Sequence, residues 1–314
     1  MTTRTDIRLQ RQKKRQSLKR RLWRYRYLYV MLLAPIAYFL VFRYGSLSGL
    51  QLAFKDYKMF RGMWNSPWVG LDVFREIFSY QKFWLAFRNT AMLNFLDLIC
   101  GFPVPIILAI FLYEIRSVPF KRFCQTSMYL PHFLSWIIIG GMANMLLASD
   151  GLLNRLISAL TGHTFNFLMD PVNWVGTYVA VGIWQSAGWG TIVYLAAISG
   201  VDASLYEAAE VDGCGTWRRI WYITIPCIMP TIIVMLILKL GSMASIGFER
   251  PYVMGNKMVT EVSEVLSTFV YKMGLQNARY SFATAAGLFI SLLNMIFLTT
   301  SNHVTKKMGE SALW

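Results

Sequence analysis

The sequence predicts an all-α integral membrane protein with six transmembrane helices and both termini cytoplasmic. Three observations predict it. Of 314 residues, 55% are hydrophobic and only 15% charged, against about 25% charged in soluble domains. Apolar runs long enough to span a bilayer recur six times. Lys and Arg gather on alternate connections between those runs.

A spanning helix needs ~20 largely apolar residues, because each unpaired backbone group in lipid costs several kcal/mol. Tyr27–Phe42 is the first run; it is short before Arg43, but Tyr25 and Tyr44 suit the two interfaces. Asn89–Tyr113 follows, interrupted by Asp97. Phe123–Ser149, Pro171–Val201 and Tyr280–Thr305 contain no Asp, Glu, Lys or Arg, and the fifth run, from about Pro226 to Ala244, contains Lys239. No small-residue cleavage pattern follows the first run, which therefore reads as an anchor rather than a removed signal peptide.

The net charge is +15, but residues 1–26 hold 11 of the 31 basic side chains and one acid, Asp6. That distribution marks a basic tail on a membrane protein rather than a nucleic-acid-binding domain, and suits a topology determinant in contact with anionic membrane lipids. With the N-terminus inside, the cytoplasmic pieces carry 18 basic residues in 69 positions and the external pieces 11 in 105. The implied organisation is a cytoplasmic tail over 1–26, a six-helix domain over 27–305 with its core from about 84, and a cytoplasmic C-terminal tail over 306–314. Cys100, Cys124, Cys214 and Cys227 form no C-x-x-C, and His132, His163 and His303 are dispersed. Neither set makes a metal site, and no nucleophile–base arrangement suggests an enzyme.

The informative connection lies between the fourth and fifth runs, over 202–226. Ser204 and Glu207 have capping-box spacing, which predicts a helix starting at Ser204. Gly213 or Gly215 can end it in a left-handed conformation, and Thr216 can cap a second short helix leading to Pro226. The first helix is acidic, and Ala208 and Ala209 leave one side without bulk. A rigid knob of this kind suits insertion into a cleft on another protein. An amphipathic helix lying on the bilayer is the competing reading, but such helices favour Lys and Arg on their polar face.

Glu207-Ala208-Ala209, then Gly213, then Ile223-Thr224-Ile225-Pro226 resembles the EAA loop of the membrane subunits of bacterial ABC importers. The one departure is Ile225 where that pattern has Leu. Ser66-Pro67-Trp68-Val69-Gly70-Leu71, Tyr129-Leu130-Pro131-His132-Phe133, Gly188-Trp189-Gly190 and Thr284-Ala285-Ala286-Gly287-Leu288-Phe289 resemble the carbohydrate branch, in particular the LplB-like first permeases of oligosaccharide systems. The resemblance implies the type I importer transmembrane fold and a place in the bacterial cell membrane. It also implies a second homologous permease, two ATPase subunits and an extracellular solute-binding protein as partners. No G-x-x-x-x-G-K-[ST] occurs in the chain, so no P-loop is present; no cofactor is expected here, ATP and Mg belonging to the partner ATPase. Glu207, Ala208, Ala209, Asp212, Gly213, Ile223 and Pro226 are the expected ATPase-coupling residues. Amino-acid, phosphate and metal importers share the pattern, and a gradient-driven transporter or channel is the rival class.

A sugar path needs hydrogen-bonding groups and aromatic faces. Trp184, Gln185, Trp189 and Tyr194 on the fourth run supply them, with Asn94, Asn144 and Asn294 as further candidates. Ordinary helix packing and interfacial anchoring compete for the same residues. Asp97 and Lys239 are intramembrane charges at compatible depths, so pairing between them is one expectation; Lys239 snorkelling outward is the other. The first external loop, with Phe54, Tyr57, Phe60, Trp64, Trp68 and Phe74, is placed either to dock a binding protein or to cover the bundle.

Overall fold

The computed structural model describes residues 23–307. Six helices in it are long and apolar enough to cross a membrane: Arg26–Phe54, Gln81–Glu114, Trp136–Thr161, Pro171–Ser199, Thr216–Leu240 and Tyr280–Lys307. They are called the first to sixth spans here. Among the described residues there is no strand, only an isolated bridge between Lys55 and Trp68. The basic tail over 1–26 lies mostly outside the described residues, as does most of the tail over 306–314.

Several predicted boundaries move. The second span starts at Gln81 and the fifth at Thr216, because polar residues at a span end continue the helix at no backbone cost. The predicted Phe123–Ser149 run is not one helix. It breaks into Val118–Tyr129, a 3-10 turn over Leu130–Phe133, and Trp136–Leu147. Pro131 lacks the amide that would continue the ladder, Leu134 is extended, and the Ser135 hydroxyl accepts from the Ile138 amide at 3.4 Å to cap the new helix. The third span is completed by Leu152–Thr161 after a turn at Gly151.

Three apolar clusters hold the bundle. Phe83, Ala86, Leu266, Phe269, Phe282 and Ala285 join the second and sixth spans to the chain between the fifth and sixth. Leu93, Trp174, Tyr178, Met254, Val259 and Val265 seat that connection on the fourth span. Ala109, Ile110, Tyr194, Ile198, Ile220 and Ile228 lock the other ends of the second, fourth and fifth spans together. Polar side chains buckle the 249–276 connection down. Asn89 donates to the carbonyls of Glu261 (2.8 Å) and Glu264 (3.0 Å), the Thr90 hydroxyl accepts from the Leu266 amide, and the Trp174 indole donates to Met254 O. The first span stands apart. Its apolar side chains are exposed from Tyr25 to Leu47, and it meets the rest through its 3-10 end, Gly45–Phe54, which packs on the sixth span.

One close approach positions the Val118–Tyr129 helix that precedes the third span. A Cβ built on Gly188 would lie 1.9 Å from the Met128 carbonyl oxygen, so the fourth span touches the Val118–Tyr129 helix backbone to backbone. Small residues permit such contact between membrane helices. Gly188→Ala should therefore force the two helices apart and lower thermal stability by at least about 1–3 kcal/mol, the usual cost of overpacking. Gly176→Ala is the control, since a Cβ there meets nothing within 4 Å. Fluorescence-detected melting of the detergent-solubilised protein compares the two.

Candidate functional site

Two places bring the expected residues together, a charged cavity between spans and an exposed helix at one end of the bundle. The cavity, about 330 Å³, is lined by Asp97 from the second span, Gln185 and Tyr194 from the fourth, Lys239 from the fifth, and Arg250 and Trp136. Asp97 opens a π-helical turn, Asp97–Gly101, inside the second span. Such turns re-aim a side chain where a regular helix would carry it past.

Asp97 pairs with Arg250, not with Lys239. The Arg250 guanidinium donates through Nη1 to Asp97 Oδ2 at 2.8 Å and through Nη2 to Asp97 Oδ1 at 3.3 Å. Nη2 also donates to the Tyr178 carbonyl at 2.5 Å, and the group lies 3.7 Å from the centroid of the Tyr178 ring. Both side chains are nearly buried, at 12% and 14% exposure. Gly182 makes the room, since a Cβ there would fall 2.1 Å from Nη2. Lys239 shares the cavity, partly buried, and has no salt bridge among the described residues. Geometry explains the choice. A bidentate fork matches a carboxylate better than an ammonium does, and the short helix Glu249–Met254 folds Arg250 back against the bundle.

Arg250 was hidden in the sequence because it lies past the end of the fifth span, in a stretch read as an external loop. The one available signal was Asp97 itself, an intramembrane acid that needs a cation.

The other path candidates separate. Gln185 and Tyr194 are buried and line the cavity. Trp184 is 48% exposed and lines an apolar groove with Ile139, Met142 and Leu156 instead. Trp189, 47% exposed, stacks on His132 with ring centroids 4.6 Å apart and planes 6° from parallel. Asn94 and Asn294 clamp the turn after the fifth span. Asn94 donates to the carbonyls of Met243 (2.8 Å) and Ser245 (3.1 Å), and Asn294 accepts from the Ala244 amide and donates to the Ser245 hydroxyl. Asn144 is exposed and lines a separate recess with Asp150 and Asn166. In the first loop Phe54 and Phe74 pack against the core while Phe60, Trp64 and Trp68 are exposed; Lys55, buried, donates to Met63 O at 2.9 Å and lies 4.8 Å from the Trp68 ring centroid.

At the opposite end stands the helix Ala203–Val211. Its cap is Asp202 rather than the predicted Ser204: the Asp202 carboxylate accepts from the Ser204 amide at 2.9 Å. The same hydrogen bonds from Ser204 hold the exposed Asp202 carboxyl below the usual carboxylate range. The helix ends in a Schellman motif. The Cys214 amide donates to Ala209 O at 2.8 Å and the Gly213 amide to Glu210 O at 3.0 Å, with Gly213 at φ +69°. Such a left-handed residue is nearly free of strain only as glycine. Gly215, with φ −68°, instead precedes the next helix, which has no side-chain cap from Thr216. That helix is not a separate short one. It runs through a π-helical turn, Ile220–Thr224, into the fifth span, with Pro226 just past that turn.

The Ala203–Val211 helix is braced on one side and bare on the other. Tyr206 and Thr224 share a hydrogen bond of 3.0 Å, and the Tyr206 and Tyr113 rings are 5.9 Å apart. Burial pushes the Tyr206 phenol up, partly offset by that hydrogen bond, so it stays protonated at neutral pH. Ala209 is buried, while Glu207, Ala208, Glu210, Val211 and Asp212 are exposed. Ile223 is partly buried. Short joints tie the helix to both neighbours, Gly200–Asp202 to the fourth span and Asp212–Gly215 to the fifth.

Two tests follow from these geometries. Removing Asp97 alone leaves a buried, unpaired Arg250, so Asp97→Leu should cost about 3–5 kcal/mol. The double variant Asp97→Leu with Arg250→Met should melt close to wild type, and a double variant no better than the single one would contradict the pairing. For Asp202 the sign is set by its depressed pKa. Its cap contributes stability above the ordinary aspartate pKa, about 3.9, which is lost as pH falls through the lower folded value. Amide hydrogen exchange over 203–211 should therefore lose protection at acid pH in wild type, whereas Asp202→Asn, a neutral cap, should show no such loss.

Residues 101–310 match the family described as binding-protein-dependent transport system inner membrane component. Protein LplB of Bacillus subtilis (strain 168) is 43% identical over 299 residues, covering 95% of this chain and 93% of its own. The polygalacturonan/rhamnogalacturonan transport system permease protein YteP of the same strain is 43% identical over 302 residues, covering 96% and 94%. A chain in the crystal structure of a bacterial ABC transporter that imports the acidic polysaccharide alginate superposes with a TM-score of 0.86 at 38% identity, covering 94% of this chain and 100% of that one. A second, from the alginate transporter in complex with its alginate pentasaccharide-bound periplasmic protein, gives 0.85 at 37%, covering 94% and 99%. With its all-helical bundle and matched length, the chain belongs to the family of binding-protein-dependent transport system inner membrane components, the permeases of ABC importers.

Proposed function

We propose that this chain forms half of the translocation path of an ATP-dependent importer for an oligosaccharide, in the bacterial cytoplasmic membrane with both termini inside. The observation that carries the coupling role is the exposed acidic face of Ala203–Val211 on a helix fastened to two spans. Glu210 and Asp212 crowd the C-terminal end of that helix, where the macrodipole disfavours negative charge. Acids kept at such a position are explained by a partner that supplies cations. That partner is an ATPase subunit, one of two, which holds the ATP and Mg; this chain then needs no cofactor and catalyses nothing. A second homologous permease completes the pathway, and an extracellular solute-binding protein delivers the cargo. A carbohydrate cargo is supported by the polygalacturonan/rhamnogalacturonan permease at 43% identity and by the alginate transporters.

In this mechanism the closing ATPase pair moves Ala203–Val211 as a rigid body. Because the joints are short, the fourth and fifth spans follow, and with them Gln185, Tyr194 and Lys239 in the cavity wall. Glu207, Ala208 and Asp212 form the contact, Ala209 seats the helix, Gly213 makes the turn, and Ile223 and Pro226 carry the motion into the span. Trp189, stacked on His132, edge-on to Phe133 and half exposed, offers an aromatic surface for a pyranose ring; Trp184, facing an apolar groove, suits packing.

Glu207→Lys tests the coupling. Uptake by cells should fall at least about tenfold while membrane level and melting temperature stay unchanged, because the side chain is exposed. A cysteine placed at Ala208 should crosslink to the ATPase subunit. Normal uptake in Glu207→Lys, or labelling of that cysteine by an impermeant reagent from outside, would overturn the reading.

A further inference from the structure

We infer that Lys239 is the charge-selecting residue of the cavity, and that the cargo carries carboxylates: an acidic, uronate-containing saccharide. The inference rests on the carbohydrate reading above and adds the charge class. Of the cavity's three charged residues, Asp97 and Arg250 neutralise each other through two hydrogen bonds. Arg250 is further occupied by the Tyr178 carbonyl and ring. Lys239 alone is left without a counter-ion among the described residues, so the cavity has one net positive charge. Within a partly enclosed cavity that charge is less screened than on an open surface. An unpaired intramembrane ammonium is expensive unless a function retains it, and a carboxylate passing through the cavity supplies the missing partner.

Its surroundings fit such a ligand. Gln185 brings an amide and Tyr194 a phenol to the same wall, groups that hydrogen-bond sugar hydroxyls. No free acid lines the cavity to repel a carboxylate, since the one acid there, Asp97, is held by Arg250. An ammonium gives a movable point contact rather than a bidentate clamp, which suits a cargo that must bind and leave.

The test uses the whole transporter with its own binding protein, in cells or proteoliposomes. Uptake of trigalacturonate and of a mannuronate trimer is compared with that of their carboxyl-reduced, neutral counterparts. Because the binding protein is unchanged, the ratio of variant to wild-type uptake isolates the permease. In Lys239→Met and Lys239→Gln the ratio should fall at least about tenfold further for the acidic sugars than for the neutral ones, the size expected of one charge-assisted contact. Lys239→Arg should restore the preference. Melting temperature and membrane level identify a variant that fails to fold, and the second neutral variant then decides. Equal ratios for acidic and neutral sugars, as when Lys239 serves a partner permease's acid, would overturn the inference alone. Failure of the wild-type transporter to take up any of these saccharides would overturn the carbohydrate reading and the inference with it.

Discussion

The Asp97–Arg250 pair ties together three parts of the chain far apart in sequence. Asp97 lies within the second span, Arg250 in the connection after the fifth, and the Tyr178 carbonyl and Gly182 that complete the seat belong to the fourth. Each charge alone would be costly to bury, so neither can leave without the other. The tie fixes where the Glu249–Met254 helix lies, and that helix brings Met254 onto Trp174. Both members of the pair line the cavity.

The far end of the bundle is governed by backbone rules instead. A carboxylate cap at Asp202, a Schellman close at Gly213 and a Tyr206–Thr224 brace give a short helix of defined orientation. Continuous helices join the two ends. Gln185 and Tyr194 stand on the span that leads directly to Asp202, and Lys239 on the span that leads from Gly215. Tyr194 and Ile198 share a core cluster with Ile220 and Ile228, so the fourth and fifth spans are packed as a pair.

How far these features were legible varied with the range of the interactions involved. That a glycine ends the acidic helix was readable because a positive φ is a local demand, but the choice of Gly213 over Gly215 was made by the structure. The cap was misplaced by two residues, from Asp202 to Ser204, since both are good caps and only the chain's exit from the fourth span chooses between them. Pro131 was visible in the third run, yet an apolar stretch without charge concealed that its ladder breaks there. The asparagines were ambiguous for a general reason: a buried amide can serve a cargo or a carbonyl, and Asn94 and Asn294 serve the turn at Met243–Ser245.

By itself the sequence determined the number and order of the spans and the acidic helix between the fourth and fifth, because burial of backbone in lipid and local capping depend on neighbours along the chain. Only the tertiary structure decided which cation Asp97 takes, that Gln185 faces the cavity while Trp184 faces outward, and that Lys239 is left over. Those outcomes depend on side-chain directions and on the close approaches allowed at Gly182 and Gly188, which arise only when separate helices meet.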